Sequence, residues 1–103
     1  MQLRAAGQEH IAAILVGLGY SCRQDAPDPG DILATGPTKL LVQVKTSLYP
    51  AAPTDPTLDE LREMAVRAAD LGYQAWFAKL RVNSIGAPVG EVIWAKVARH
   101  LPG

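Results

Sequence analysis

Asp31-Ile32-Leu33-Ala34-Thr35-Gly36-Pro37-Thr38-Lys39-Leu40-Leu41-Val42-Gln43-Val44-Lys45-Thr46 is the stretch that decides the fold. Lys39 to Thr46 reads as a strand, because successive side chains of a strand point to opposite faces. Leu40, Val42 and Val44 then share one face, and Leu41, Gln43 and Lys45 share the other. Asp31 to Ala34 is a shorter strand. Thr35-Gly36-Pro37-Thr38 carries turn residues between two apolar runs, so the two strands form a hairpin. The turn sets Asp31 roughly opposite Gln43, and Lys45 lies two residues further along the same face. One carboxylate, one amide oxygen and one ammonium thus converge at one end of a hairpin whose other face is aliphatic.

Working outward, Ile11, Ile14, Leu15 and Leu18 recur at helical spacing. Gly19 follows where a left-handed residue ends a helix, and Tyr20 supplies the apolar contact beyond it. Ser21 to Asp25 reads as a strand, and Asp25-Ala26-Pro27-Asp28-Pro29-Gly30 cannot be regular structure. Beyond Lys45 comes a loop, Leu48 to Pro56. Pro50, Pro53 and Pro56 bar both a helix and an inner strand there. A loop of that length in a small domain is usually functional or mobile.

A second helix runs from about Leu58 to Leu71. Thr57 and Glu60 give it a capping-box signature, and Leu61, Met64, Ala65 and Ala68 form its buried stripe. Gly72 and Tyr73 repeat the ending of the first helix. Gln74 to Val82 is a strand, Asn83 to Gly90 a turn region, and Glu91 to Ala98 a last strand. Strand, helix and strand in succession make a crossover to a parallel neighbour. The expected fold is therefore α/β, a mixed central sheet flanked by helices, in one domain over residues 1–103.

Composition bounds the function. The chain has 103 residues, 49% of them hydrophobic and 19% charged, an ordinary globular mix. One cysteine, Cys22, and two histidines, His10 and His100, offer neither a disulfide nor a zinc pattern. The longest apolar run, Ile11 to Val16, is six residues, far short of the roughly 20 a membrane helix needs. The N-terminus lacks an apolar stretch of signal-peptide length. These readings suit a cytoplasmic protein with no membrane partner. Ten basic and ten acidic residues give a net charge of zero. Nucleic-acid binders are usually basic, yet acids at a metal site offset basic residues elsewhere, and local distribution matters more than the sum.

The hairpin cluster has a chemical use. Mg²⁺ takes oxygen ligands at about 2.0–2.1 Å and keeps several waters. Asp31 and Gln43 supply two such oxygens, and the backbone carbonyl of Val44 between the side chains can add a third. A bound divalent ion lowers the pKa of an attacking water and polarises a phosphoryl group. Lys45 beside it is a point charge suited to a developing phosphate charge.

Asp31, eleven intervening residues, then Gln43-Val44-Lys45 resembles the PD-(D/E)XK nuclease motif in its Gln-X-Lys form. That form is found in Mrr-like restriction enzymes and in homing nucleases of the same superfamily. The order helix, three strands, helix, strand matches the restriction-endonuclease-like αβββαβ core. In its length and second half, Leu71-Gly72-Tyr73-Gln74-Ala75-Trp76-Phe77-Ala78-Lys79-Leu80-Arg81-Val82 included, the chain looks most like archaeal-type Holliday junction resolvases. It departs from the pattern in two places. Gly30, not proline, precedes Asp31, and neutral Gln43 stands where an acid is usual.

The resemblance implies a Mg²⁺-dependent, or Mn²⁺-dependent, structure-selective endodeoxyribonuclease encoded by a prokaryote or a phage. It would be a homodimer acting on branched DNA. Glu9 on the first helix, Asp31, Gln43 and Val44 would hold the metal; Glu9, Asp31, Gln43 and Lys45 would be catalytic. Thr46, Ser47, Arg62 and Arg67 would contact DNA, with Lys79 and Arg81 in the same region. The blander readings stay open. Asp31 can be a turn residue, Glu9 and the arginines a solvated face, and Lys45 a snorkelling strand end. The chain can also be an Mrr-like or homing-type nuclease, or an inactive nuclease-like module that binds nucleic acid or a subunit.

Overall fold

The computed structural model describes residues 2–98, so His100 lies outside the described residues. Its elements are α1 (Leu3–Gly17), β1 (Ser21–Gln24), β2 (Asp31–Thr35), β3 (Lys39–Leu48), α2 (Leu58–Leu71), β4 (Gln74–Val82) and β5 (Pro88–Lys96). The five strands form one sheet in the order β1-β2-β3-β4-β5, antiparallel throughout except for the parallel β3–β4 pair. That is the α/β arrangement on a mixed sheet that the sequence predicts.

The hairpin register follows from the pattern. Asp31 pairs with Gln43, Ile32 with Val42 and Leu33 with Leu41. Paired residues share a face, so Ile32, Ala34, Leu40 and Val42 lie on one side, and Asp31 and Gln43 lie on the other together with Leu33 and Leu41. Ile32, Ala34, Leu40 and Val42 pack with Ile11, Ala12 and Leu15 of α1 and with Ala78, Leu80 and Val82 of β4. On the other face, Leu41, Ala75, Phe77 and Val97 pack against Met64 and Ala68 of α2. Each helix covers one face, and the sheet lies between them.

Both helices end as their Leu-Gly-Tyr sequences require. Gly19 and Gly72 take φ values of 96° and 74°, conformations that a Cβ disfavours. Tyr20 N–H then donates to Leu15 O at 3.0 Å, and Tyr73 N–H to Ala68 O at 2.8 Å, each closing the last turn. At the start of α2, the Thr57 side chain accepts from Glu60 N while the Glu60 side chain accepts from Thr57 N, a complete capping box. Near the start of α1, Gly7 lets the helix lie directly on β3. A Cβ there would meet Thr46 Oγ1 at 1.9 Å.

Several strand boundaries differ from the sequence reading. Asp25 is not in β1: its φ of 56° turns the chain out of the strand. β3 runs on to Leu48, because parallel pairing with β4 continues to Leu48–Val82. β5 begins at Pro88, in the region expected to be turn, and stops at Lys96. A proline is tolerated there because β5 is an edge strand, and the register with β4 shifts between Lys79 and Arg81. No helix among the described residues is long and apolar enough to cross a membrane.

Candidate active site

The hairpin brings Asp31 and Gln43 together and sets Lys45 on the same face, covered by α2. Asp31 is fully buried, unusual for a carboxylate. Its Oδ2 accepts from Arg67 Nη1 at 2.9 Å, and Arg67 also pairs with Asp28. Its Oδ1 has no hydrogen-bond partner among the described residues, and neither has the buried Gln43 Oε1 on the paired position. Burial raises the Asp31 carboxyl above the usual range, against the opposing pull of the Arg67 guanidinium. Two unpartnered buried oxygens on neighbouring strands are costly unless something satisfies them.

Lys45 is ion-paired with Glu60 in the first turn of α2. Glu60 is doubly held, because its Oε1 accepts from Thr57 N at 3.0 Å. The hydrogen bond from Lys45, first, and that from Thr57 keep its carboxyl below the usual range. Glu60, Met64 and Arg67 lie at i, i+4 and i+7 on one helix face. One stripe of α2 thus places an acid on Lys45 and a base on Asp31, with fully buried Met64 between them.

A cavity of about 440 Å³ opens beside this group, lined by Arg4, Gln8, Asp25, Gln43, Val44, Lys45, Thr46 and Glu60, among others. Gln8 Nε2 donates to Asp31 O at 3.0 Å and to Asp25 Oδ1 at 3.2 Å. Gly30 N–H donates to the same Asp25 oxygen at 2.9 Å, and these two bonds hold the Asp25 carboxyl below its usual range.

Glu9 is not brought to the group. It is exposed and borders a different depression with His10, Ile85 and Pro88. The reason is helical geometry: the buried stripe Ile11, Ala12, Leu15 extends back one turn to Gln8, and Glu9 lies about 100° further round the helix. Among the residues expected at DNA, Thr46 borders the cavity. Ser47 Oγ, near the end of β3, donates to Ala51 O in the following loop at 2.6 Å. Arg62 lies on the outer side of α2 and is 4.0 Å from Asp59. Arg67, expected to contact DNA, pairs through its guanidinium with Asp31 and Asp28. Gln8, Asp25, Asp28 and Glu60 are the site residues missed from sequence.

No protein-family model and no curated protein matches the sequence. A solved structure does. The 1.6 Å structure of Archaeoglobus fulgidus Hjc, a Holliday junction resolvase from an archaeal hyperthermophile, matches with a TM-score of 0.65. The match covers 90% of this chain and 71% of that one, at 21% sequence identity. The chain shares the fold of that protein. The expected restriction-endonuclease-like architecture is thereby established, and at this identity the likeness is one of fold. The chemistry rests on this chain's own residues.

Within the shared fold, those residues offer oxygen donors of the kind hard cations take: a carboxylate and an amide carbonyl, each with an orphan oxygen. Among the described residues, no group of three or more His, Cys, Asp or Glu is gathered as a metal cluster. The residues that could hold a metal there are Asp31, Gln43 and, from the backbone, Val44. This set fits a Mg²⁺-type ion that retains several waters and not a zinc-type one. Both orphan oxygens are buried.

Proposed function

We propose that this protein is a divalent-metal-dependent endodeoxyribonuclease that cuts branched DNA, with a four-way junction as substrate. The observation that carries the reading is the pair of unpartnered buried oxygens, Asp31 Oδ1 and Gln43 Oε1, on paired positions of β2 and β3, with Lys45 two residues on. The junction as substrate rests on the fold shared with Hjc. Asp31, Gln43 and the Val44 carbonyl hold Mg²⁺, or Mn²⁺ in its place; Glu9 is left out of the set. When bound, the ion supplies Lewis-acid polarisation of the phosphoryl group and a more acidic water.

The chain's own groups do the rest. Arg67 takes one oxygen of Asp31 and leaves the other for the ligand role, which a carboxylate has lone pairs enough to allow. Glu60 fixes Lys45 at the cavity, where its ammonium stabilises the charge that develops on the phosphate. Water adds to phosphorus and the P–O3′ bond breaks, leaving a 5′-phosphate and a 3′-hydroxyl. Thr46, which packs against Gly7 of α1, also borders the cavity and on this reading contacts the DNA backbone. A two-fold dimer would present two such sites to the two equivalent strands of a junction, and the outer edge of β5, with Ile93 56% exposed, is a surface such a dimer can use.

A second reading is an inactive module that binds DNA without cutting it. The ion pairs that neutralise Asp31 and Lys45, and the burial of the two oxygens, favour it. A synthetic four-way junction incubated with Mg²⁺ or with EDTA separates the two. We expect symmetric nicking with Mg²⁺ alone, reduced about a hundredfold or more in Lys45→Ala. Binding without nicking would establish the inactive module. Normal cutting by both Lys45→Ala and Asp31→Ala would overturn the site.

A further inference from the structure

Parallel pairing of β3 and β4 sets Lys45 beside Lys79 and Ser47 beside Arg81, each pair on one face of the sheet. Two ammonium groups on directly paired positions repel each other. Each is matched by a carboxylate from the connection that leaves β3, Lys45 by Glu60 and Lys79 by Asp55, whose Oδ1 is 2.5 Å from Lys79 Nζ. The two carboxylates are held very differently. Glu60 is locked by the capping box and its side chain is 31% exposed. Asp55 stands on the proline-rich loop with its side chain 83% exposed, above a Lys79 that is only 17% exposed.

An exposed ion pair is worth little, because water and salt compete for both partners. A DNA phosphate carries the same charge as Asp55 and gains in addition from the release of condensed counterions. The exchange of one anion for the other on Lys79 is therefore favourable, whereas the locked Glu60 stays on Lys45.

We infer that Lys79 is a second phosphate-gripping cation beside Lys45 and that Asp55 masks it as a latch, occupying the place a DNA backbone phosphate takes in the complex. The inference rests on the DNA-cleaving reading above. Its test is fluorescence anisotropy of a labelled four-way junction in EDTA, which needs no cleavage, at several salt concentrations. Lys79→Gln is expected to weaken binding about threefold to tenfold and to lower the salt slope by about one. Asp55→Asn, at an exposed loop position, is expected to tighten binding by a similar factor. That gain should vanish in the Lys79→Gln background, because the two act through one contact.

A gain from Asp55→Asn that persists undiminished without Lys79, or no gain at all, overturns the latch. An unchanged salt slope in Lys79→Gln overturns the contact. A wild-type protein that binds no junction would end this inference and the functional reading together, so the two failures are distinguishable.

Discussion

Asp31→Asn is expected to lower junction cleavage about a thousandfold while leaving the metal-free protein at least as stable as the wild type near neutral pH. The loss of cleavage follows from removing the one carboxylate in the donor set. The stability half follows from burial. The folded protein holds the Asp31 proton more tightly than the unfolded chain does, because burial raises the carboxyl above its ordinary range despite Arg67. A raised pKa means that Asp31 favours folding below its ordinary value, and that this contribution is lost as pH climbs through the raised one. At about pH 7 the ionised carboxylate is thus a cost that the fold carries, and asparagine removes it. Thermal unfolding in EDTA should show the variant's advantage at about pH 7 and a smaller one at about pH 4. A variant clearly less stable than the wild type at neutral pH would mean that the Arg67 pair outweighs the burial.

Arg67→Met is expected to cost about 2 kcal/mol of stability near pH 7. Methionine keeps the aliphatic stem beside Met64 and removes only the charge. Asp31 then has no cationic partner, and a buried carboxylate without one is strongly unfavourable. The figure is below the roughly 3–5 kcal/mol of a fully buried pair, because the Arg67 side chain is 27% exposed and because Asp31 can take up a proton instead. Urea denaturation in EDTA measures it. The diagnostic comparison is the same substitution in an Asp31→Asn background, where the cost should fall to less than half. Equal costs in the two backgrounds would show that Arg67 stabilises α2 by itself and does not serve Asp31.

The hairpin was legible because its determinants are local. Gly36 and Pro37 fix the turn, the aliphatic alternation fixes the face, and those two together fix the Asp31–Gln43 pairing to the residue. The ends of both helices were legible for the same reason. The partners of the site were not. Glu60 lies 15 residues from Lys45, and Arg67 lies 36 from Asp31. Those pairings depend on how α2 settles on the sheet after a long loop, which no local pattern encodes. A hint existed, since Glu60 and Arg67 border the apolar stripe of α2 at helical spacing, on a crossover helix that must pass over the strand it follows.

Gln8 was more accessible. Carrying the stripe of Ile11 and Leu15 back one turn lands on Gln8, and placing Glu9 at the metal site set that periodicity aside. β5 was mistaken at its start because Pro88 and Gly90 read as turn residues, whereas an edge strand accepts both.

If Asp31 and Gln43 share a divalent ion, crystals grown with Mn²⁺ reveal it by the metal's anomalous scattering. A peak is expected within about 2.0–2.4 Å of both Asp31 Oδ1 and Gln43 Oε1, absent in Asp31→Asn. A crystal that holds Mn²⁺ elsewhere on the protein, with no peak at those two oxygens, would contradict a shared ion.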